Sequence, residues 1–542
     1  MTTSNQTPPR VNGNALPGDG ALITLLRSFE NLPEKGLLEQ GAWVNTAEAM
    51  DLARLSNEHP PILRTHDAAG ERLNRVEFHP AYHALMRRGV GQGLSGSVWQ
   101  DGAGDGAHRH FLRGVRFMLT AQLECGHLCP LTMTNAAGAI FAAQPDLGAD
   151  WMPRLTSRTY DSSHKAPGEK SGLTFGMGMT ERQGGTDVRS NRTRAQPIKD
   201  GKSEGLYRID GEKWFFSAPM SDAFFILAQA NQGLSCFLIP RLLPDGRQNG
   251  LNFRRLKNKL GNQANASSEV EIVDALGTLV GEEGQGIRTI LDMVTMTRLD
   301  CALGSAGQMR AALADAVHHA RHRSVFDRKL IDQPLMQRVL ADMALDVAAA
   351  QLLSLRLARS FDRAAESEEE AGYARLMTPV IKYWVCKIAP PLITEALECL
   401  GGNGYVEDHP IARLYREAPL NSVWEGSGNV MCLDVLRVMR KGPKTVDAVL
   451  QTIAETMGGN SGQAIDVLRV ASDMALNDEG SARLLTEQLA ISAAAGELRR
   501  VLPGAIADAF VETRLGRPWR NTYGMLDART DCAAILDFLC PG

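Results

Sequence analysis

The chain has 542 residues, of which 44% are hydrophobic and 22% are charged. These values exclude a disordered, a collagen-like or a small disulfide-rich protein, and the length allows several domains with a sizeable core. The 58 lysines and arginines nearly balance the 62 aspartates and glutamates, which gives a formal net charge of -4. A chain with this balance is not a polyanion binder as a whole, so any nucleic-acid role requires a local basic face.

Cysteine usage and the N-terminal sequence predict the compartment. The nine cysteines are odd in number and scattered, which favours reduced thiols over a disulfide framework. The N-terminus is polar and rich in Pro and Gly, and no stretch reaches the roughly 18 apolar residues of a membrane span. We therefore expect a soluble, cytoplasmic protein. We expect no metal site, because Cys125, His127 and Cys129 do not supply the four ligands of a structural zinc.

Hydrophobic periodicity divides the chain into five predicted segments. Residues 1–40 form a loose arm in which Pro and Gly prevent regular structure, and residues 41–175 show the i, i+3, i+4, i+7 pattern of helices. Residues 176–285 carry short β-rich runs between turns and form a β domain. Long amphipathic helices over residues 286–440 predict a four-helix bundle, and residues 441–542 form a further helical region.

A glycine-rich turn, GMGMTERQGGTDV at residues 176–188, opens the β domain. Its backbone N–H groups and the hydroxyls of Thr180 and Thr186 can approach a phosphate or the edge of a heteroaromatic ring. An ordinary turn explains the same residues. The turn indicates a ligand only in combination with other segments.

Three consecutive aromatic residues, Trp214, Phe215 and Phe216, precede Ser217 in the same domain. As a strand, this run places Trp214 and Phe216 on one face and Phe215 and Ser217 on the other. One face can pack in the core while the other stacks on a planar ligand. The alternative is a strand that is buried on both sides.

Further along, two glycine-rich breaks interrupt helical sequence, LGGNGY at residues 400–405 and EGSGN at residues 425–429. Exposed backbone inside a bundle is costly unless a ligand uses it. Glu425, between Trp424 and Gly426, is either a carboxylate base or an ordinary carboxylate near a helix N-terminus. Upstream, Arg323 can pair with pyrophosphate through its planar guanidinium, although capping of helix carbonyls is the commoner role.

In combination, these segments resemble the acyl-CoA dehydrogenase superfamily of flavoproteins. The glycine-rich turn, RSVFD at residues 323–327, LGGNGY and EGSGN stand in the order of that family's TEPGxGSD, R-x-x-F-G, LGGxGY and EGS motifs. ERLNRVEFHP at residues 71–80 and KNKLGNQANAS at residues 257–267 are similar to its alkylation-response, AidB-like branch. The resemblance implies a mainly helical α+β fold with an N-terminal helical domain, a middle β-barrel or sandwich, a four-helix bundle and an extra C-terminal helical region.

The resemblance also implies a bound FAD and an active site. Ser217 would lie near flavin N5, and Arg323 and Phe326 would reach the FAD of a neighbouring subunit, as in a homotetramer. Glu425 would remove the α-proton of an acyl thioester. Asp327 stands where the family has Gly, which puts the pyrophosphate contacts in doubt. The implied cofactor-binding residues are Met179, Thr180, Gly185, Thr186, Ser217, Arg323, Phe326, Gly401, Gly402, Trp424, Ser427 and Asn429.

A C-terminal region that contacts double-stranded DNA without sequence preference is a further implication. Charge does not favour it, because residues 440–542 contain 11 lysines and arginines against 13 aspartates and glutamates. Two clusters can still form a local basic face, with solvated helix ends as the alternative. They are Arg437, Arg440 and Lys441 where the bundle ends, and Arg514, Arg517 and Arg520 further on.

Three functions remain open from the sequence. The first is an FAD-binding, AidB-like flavoprotein that acts in the response to DNA alkylation and binds double-stranded DNA, with an acyl-CoA or an alkylating small molecule as substrate. The second is a catabolic acyl-CoA dehydrogenase with Glu425 as base. The third is a non-catalytic DNA-binding protein in which FAD is a structural part.

Overall fold

The computed structural model describes residues 5–29, 32, 34–100, 105–198, 205–458, 461–516, 522–527 and 529–541. These ranges are mainly helical with one large sheet, so the predicted α+β class is confirmed. The helices are α1 (Gly20–Arg27), α2 (Glu34–Trp43), α3 (Ala47–Glu58), α4 (Pro80–Gly91), α5 (Arg109–Ala121), α6 (Leu128–Ala143), α7 (Pro145–Leu155), α8 (Gly286–His322), α9 (Pro334–Arg363), α10 (Glu368–Cys399), α11 (Pro410–Glu417), α12 (Gly428–Lys441), α13 (Pro443–Met457), α14 (Ser461–Asn477), α15 (Ala482–Val501), α16 (Gly504–Arg514) and α17 (Cys532–Leu539). The strands are β1 (Ile62–His66), β2 (Arg72–Glu77), β3 (Phe175–Gly178), β4 (Arg194–Pro197), β5 (Leu206–Ser217), β6 (Ala223–Ala230), β7 (Gly233–Pro240), β8 (Leu251–Leu256), β9 (Ser267–Val280), β10 (Ser324–Val325) and β11 (Arg328–Lys329).

The chain divides into two compact units that do not follow the five predicted segments. The first unit consists of residues 1–50, 104–123 and 298–542. The second consists of residues 51–103 and 124–297. The N-terminal residues and the C-terminal helices therefore belong to the same unit as the helical bundle.

The second unit is built on a seven-stranded sheet with the order β3-β5-β4-β6-β7-β9-β8. Additional pairing of β3 with β6 and of β5 with β9 curls this sheet into the middle β-barrel domain. Its interior contains Phe216, Phe224, Phe237 and Phe253, which are buried. The short β-rich runs of the sequence thus form the predicted β domain.

A β-hairpin of β1 and β2 interrupts the region in which the sequence predicts helices throughout. Asp67 accepts hydrogen bonds from the backbone N–H groups of Ala69 and Glu71, and Gly70 adopts a φ of +86° in the turn. The exposure of β1 alternates from residue to residue. Alternation of this kind has the period of a strand, and the helical reading of residues 41–175 overlooked it.

The prediction of a loose arm over residues 1–40 is also wrong, because this part of the chain contains α1 and α2. Asp19 accepts the backbone N–H of Leu22 at 3.1 Å and so caps the start of α1. Its other oxygen accepts a hydrogen bond from Gln351 at 2.6 Å and lies 3.2 Å from Nε of Arg310. The buried leucines of α1 and these polar contacts outweigh the neighbouring Pro and Gly.

The helical bundle of the first unit centres on α9 and α10. Helix α10 packs against α9, α12, α13 and α15. The helices after residue 441 therefore extend the predicted bundle. No helix in the described part of the chain is both long and apolar enough to span a membrane.

One buried ion pair joins two helices of this unit. Both terminal nitrogens of Arg113 in α5 lie 2.7 Å from the carboxylate oxygens of Asp300 in α8. The two side chains are only 3% and 2% exposed. Removal of either partner leaves a buried charge without its counter-ion, which costs far more than loss of an exposed pair.

We expect Asp300→Ala to lower the stability of the first unit by about 3–5 kcal/mol. The control is Glu407→Gln, which breaks the ion pair between Glu407 and Arg416. The side chain of Glu407 is 76% exposed, so this substitution should lower the stability by less than about 1 kcal/mol. Urea unfolding of both variants measures the difference. Equal unfolding midpoints for the two variants would show that the buried ion pair of Arg113 and Asp300 matters no more than an exposed one.

Candidate active site

The glycine-rich turn and the aromatic strand lie side by side in the second unit. β3 pairs with β5 so that Met177 faces Ser217, and the N–H of Trp214 donates to the carbonyl of Thr180 at 2.8 Å. The hydroxyls of Thr180 and Ser217 have no hydrogen-bond partner among the described residues. Both hydroxyls are therefore available to a ligand at this edge of the barrel.

Close packing within the turn explains its glycine. A Cβ at position 185 would lie 2.4 Å from the hydroxyl of Thr180, so Gly185 lets the turn fold back on that side chain. Met179 accepts a hydrogen bond from Asn191 through its carbonyl at 3.1 Å. Thr186 is exposed at the tip. All four cofactor residues expected in this turn thus belong to one ordered, accessible loop.

A buried ion pair anchors the turn from beneath. Nζ of Lys213 lies 2.8 Å from Glu181, which also accepts the backbone N–H groups of Arg192 and Thr193. Burial lowers the pKa of Lys213 to about 8, against the opposing effect of Glu181. Sequence reasoning missed this pair, although Glu181 and Lys213 directly adjoin the two motifs.

The aromatic run does not alternate as a regular strand would. Lys213 faces Val270 in β9 whereas Phe216 faces Ser268, so a bulge adds one residue to β5. Phe216 is therefore buried, whereas Trp214 and Phe215 both approach the ammonium of Lys257, at 3.5 and 4.7 Å from their ring centres. The prediction that Trp214 and Phe216 share a face is wrong.

In the first unit, buried cations bind three consecutive carbonyls around Glu425. Lys382 donates to the carbonyls of Trp424 at 2.9 Å and Gly426 at 2.5 Å, and Nε of Arg298 donates to that of Glu425 at 3.2 Å. Lys382 is 1% exposed and Arg298 is 8% exposed. These contacts tie the turn to α10 and α8, and neither cation stood out in the sequence.

This anchoring holds Glu425 in the left-handed region, with a φ of +58°. For a residue other than Gly, Asn or Asp, such a conformation costs of order 1–3 kcal/mol and persists only when the surroundings enforce it. The side chain is half-buried. The structure therefore presents one carboxylate on a rigid, strained turn, as a positioned base requires.

The neighbours of Glu425 differ in their availability. The indole N–H of Trp424 donates to Asn421 at 2.8 Å, which fixes the ring. Ser427 is exposed at the start of α12 and makes no capping bond. Asn429 accepts a hydrogen bond from Arg483 at 2.8 Å, so its amide oxygen is already engaged.

The remaining cofactor candidates lie on the surface of the first unit. Phe326, at a φ of +51° and 89% exposed, forms the tip of the β10–β11 hairpin with Asp327 at +60°. Arg323 donates to the carbonyl of Asn5 at 2.8 Å. Gly401 and Gly402 have open space where a Cβ would stand. Their backbone is therefore open to close approach by a ligand.

The expected DNA contacts separate into two groups. Arg437 is 59% exposed but lies 3.2 Å from Asp434, and Arg440 and Lys441 are exposed in the last turn of α12. Arg514, in contrast, is only 14% exposed and pairs with Asp342 at 2.5 Å and Asp346 at 3.1 Å. These two carboxylates engage its guanidinium, so Arg514 does not present a free charge to DNA. Arg517 and Arg520 lie outside the described residues.

Comparison with known proteins places this geometry in a family. Residues 5–162 match the N-terminal domain of the adaptive response protein AidB, and residues 176–275 and 284–440 match the middle and C-terminal domains of acyl-CoA dehydrogenases. The chain is 45% identical to the putative acyl-CoA dehydrogenase AidB of Escherichia coli (strain K12), over 95% of this chain and 94% of that protein. The chain is an AidB-like member of the acyl-CoA dehydrogenase family. Members of this family are FAD-dependent oxidoreductases in type and typically bind FAD.

Two solved structures share the fold over nearly their whole length. Caenorhabditis elegans ACDH-11, solved in complex with C11-CoA, superposes with a TM-score of 0.82 at 26% identity, over 99% of this chain and 97% of that one. The apo form of Bd2924 gives a TM-score of 0.84 at 26% identity, over 92% of this chain and 99% of that one. The predicted acyl-CoA dehydrogenase fold is thereby confirmed.

Two substitutions test the strain at Glu425. Both Glu425→Gly and Glu425→Ala remove the carboxylate, but only Gly adopts a φ of +58° without steric cost. We expect the Gly variant to be about 1 kcal/mol more stable than the Ala variant. Thermal unfolding at matched flavin content measures the order, and a more stable Ala variant would show that the turn is unstrained.

Proposed function

We propose that this protein is an FAD-dependent oxidoreductase of the acyl-CoA dehydrogenase type that acts in the response to DNA alkylation. The Glu425 turn carries the first part of the proposal, because two buried cations hold a single carboxylate in a strained conformation. The 45% identity to AidB and the match to the adaptive response domain support the second part. A cytoplasmic location agrees with the scattered cysteines.

The residues present fit FAD. The hydroxyls of Thr180 and Ser217 stand without a protein partner in the described chain and would hold the edge of the flavin ring. The open backbone at Gly401 and Gly402 would accept the pyrophosphate side of the FAD of a neighbouring subunit. Bound FAD supplies the two-electron acceptor for the chemistry.

Glu425 would act on the substrate directly. Its carboxylate would take the α-proton of an acyl thioester, and its backbone N–H would polarise the thioester carbonyl. The carbonyl contacts from Lys382 and Arg298 would keep the carboxylate in place during the transfer. General-base catalysis of this kind contributes roughly 10²- to 10⁴-fold to the rate.

Anaerobic titration of the FAD-loaded protein with saturated acyl-CoAs of increasing chain length tests this role. We expect at least one acyl-CoA to bleach the flavin, and Glu425→Gln to slow bleaching by roughly 10²-fold or more with unchanged flavin content. An equal rate in the variant would remove Glu425 as base. Rapid bleaching by common chain lengths would favour the catabolic dehydrogenase, and no bleaching would favour a structural FAD.

We further propose that the protein binds double-stranded DNA without sequence preference through Arg437, Arg440 and Lys441. Their exposure at the end of α12 supports this, although Arg437 also pairs with Asp434. Phosphate contacts of this kind release counterions, so binding should weaken steeply with salt.

A mobility-shift series across salt concentrations tests the DNA proposal. We expect the double variant Arg440→Gln/Lys441→Gln to weaken binding and to reduce the salt slope by about 2. The control, Arg208→Gln/Arg247→Gln, removes two exposed cations from the β domain and should leave the slope unchanged. Absence of a shift at low salt would refute the proposal.

A homotetramer completes the proposed function. Phe326 is 89% exposed at a hairpin tip with a positive φ, so it buries little apolar surface within one chain. Contact of Phe326 with the FAD of a neighbouring subunit would account for it, as the family resemblance implies.

A further inference from the structure

The second unit contains a cavity of about 400 Å³ that shares no residue with the flavin or DNA candidates. Its walls come from β2 and the residues that follow it, from α4 and α6, from residues 160–174, from the turn between β5 and β6, and from Arg241 at the end of β7. A pocket of this size, with several titratable side chains converging on it, is a candidate binding site.

Arg241 is a buried cation in the wall, at 6% exposure. Its Nε donates to the carbonyl of Ser221 at 3.1 Å, and one terminal nitrogen lies 2.9 Å from Nδ1 of His164. The other terminal nitrogen has no acceptor among the described residues. A guanidinium nitrogen of a buried arginine that lines a cavity in this way is a donor for a ligand.

The contact with Arg241 also fixes the state of His164. A guanidinium only donates hydrogen bonds, so Nδ1 of His164 must accept and the neutral ring carries its proton on Nε2. Burial, followed by the charges of Arg241, Arg75 and Lys170, lowers the pKa of His164. The ring therefore offers a second donor in a positive field.

The acidic side chains in the wall and directly behind it already have hydrogen-bond partners. Asp161 lines the cavity, and Asp222 lies behind Lys170. Asp222 pairs with Lys170 at 2.7 Å and accepts the backbone N–H of Thr174 at 2.9 Å. Asp161 accepts four hydrogen bonds from two serines, at positions 163 and 171. Hydrogen bonds and nearby Lys170 hold the pKa of Asp161 at about 2, against the effect of burial. Neither carboxylate forms an ion pair with Arg241 among the described residues, although the charge of Asp222 opposes the lowering of the Arg241 pKa by burial.

Arg75 adds a further positive charge at the rim. It is exposed and has no ion-pair partner among the described residues. Glu77, the acidic residue nearest along the strand, pairs instead with Arg64 at 3.1 Å. The polar wall thus combines two guanidinium groups with an imidazole donor.

An apolar wall completes the cavity. Phe78 stacks on Tyr82 with ring centres 4.1 Å apart, and Met86, Pro130 and Met220 line the same space. We propose that the cavity binds a small organic anion, with its carboxylate or phosphate on Arg241, Arg75 and His164 and its hydrocarbon part against Phe78 and Tyr82. Guanidinium groups match such oxyanions through paired donors. A DNA backbone is disfavoured, because Arg241 lies too deep for a duplex to reach.

Isothermal titration of the full-length, FAD-loaded protein with hexanoate, hexyl phosphate and 1-hexanol tests the proposal. We expect at least one anion to bind about ten-fold or more tightly than the alcohol, since the oxyanion supplies the charge-assisted hydrogen bonds. The tighter of the two anions identifies the head group. Equal binding of the alcohol would overturn the proposal, as would displacement of the bound anion by duplex DNA.

Variants locate the site. Arg75 is exposed, so Arg75→Gln should leave the fold intact and weaken anion binding about ten-fold. Arg241→Gln should weaken anion binding further. The matched control is Arg72→Gln, which removes an exposed arginine from the same strand but outside the cavity. Equal affinities of the Arg75 and Arg72 variants would refute the site. Flavin content and acyl-CoA bleaching, measured in parallel, separate this result from a failure of the proposed function.

Discussion

The turn around Glu425 depends on two buried cations that have backbone carbonyls as acceptors. Lys382, at 1% exposure, would be very costly without the carbonyls of Trp424 and Gly426, because a buried ammonium requires hydrogen bonds. Arg298 adds the carbonyl of Glu425 and an ion pair with Asp434 at 2.7 Å. The carbonyls of the turn thus supply hydrogen-bond acceptors that the buried cations of the bundle require. The geometry of the turn follows from the packing of α8, α10 and α12.

In the β domain, a buried ion pair anchors the glycine-rich turn that carries candidate cofactor contacts. Lys213 and Glu181 lie buried below it and hold its backbone, whereas Thr180 and Ser217 above them make no protein hydrogen bond in the described chain. Anchoring and ligand contact are therefore assigned to different side chains. Buried charged pairs define the backbone path, and this leaves small hydroxyls and glycines exposed where a cofactor can approach.

Sequence patterns predicted the elements whose hydrophobic residues recur with one regular period. They missed the elements that contacts between distant parts of the chain stabilise. Helical period located the bundle, and β-rich runs located the barrel. The capped helix at Asp19 was missed because its stabilising partners, Arg310 and Gln351, are distant in sequence. The bulge between Lys213 and Phe216 changes which side chains share a face of β5, and no residue pattern in the run predicts it. Arg514 looked like a surface cation because its partners, Asp342 and Asp346, lie in another helix.

Backbone strain offers evidence for the site that is independent of the motifs. Within the described ranges, five of the eight non-glycine residues with positive φ are Asn or Asp, which tolerate that region. The other three are Ala218, Phe326 and Glu425. Ala218 follows Ser217, and Phe326 and Glu425 are themselves candidate site residues. Glycine would relieve the strain at each position, so stability alone does not explain these residues. Strain at or beside candidate contacts is what a preorganised site requires, and two of the three strained residues, Phe326 and Glu425, are ones that the sequence motifs also indicate.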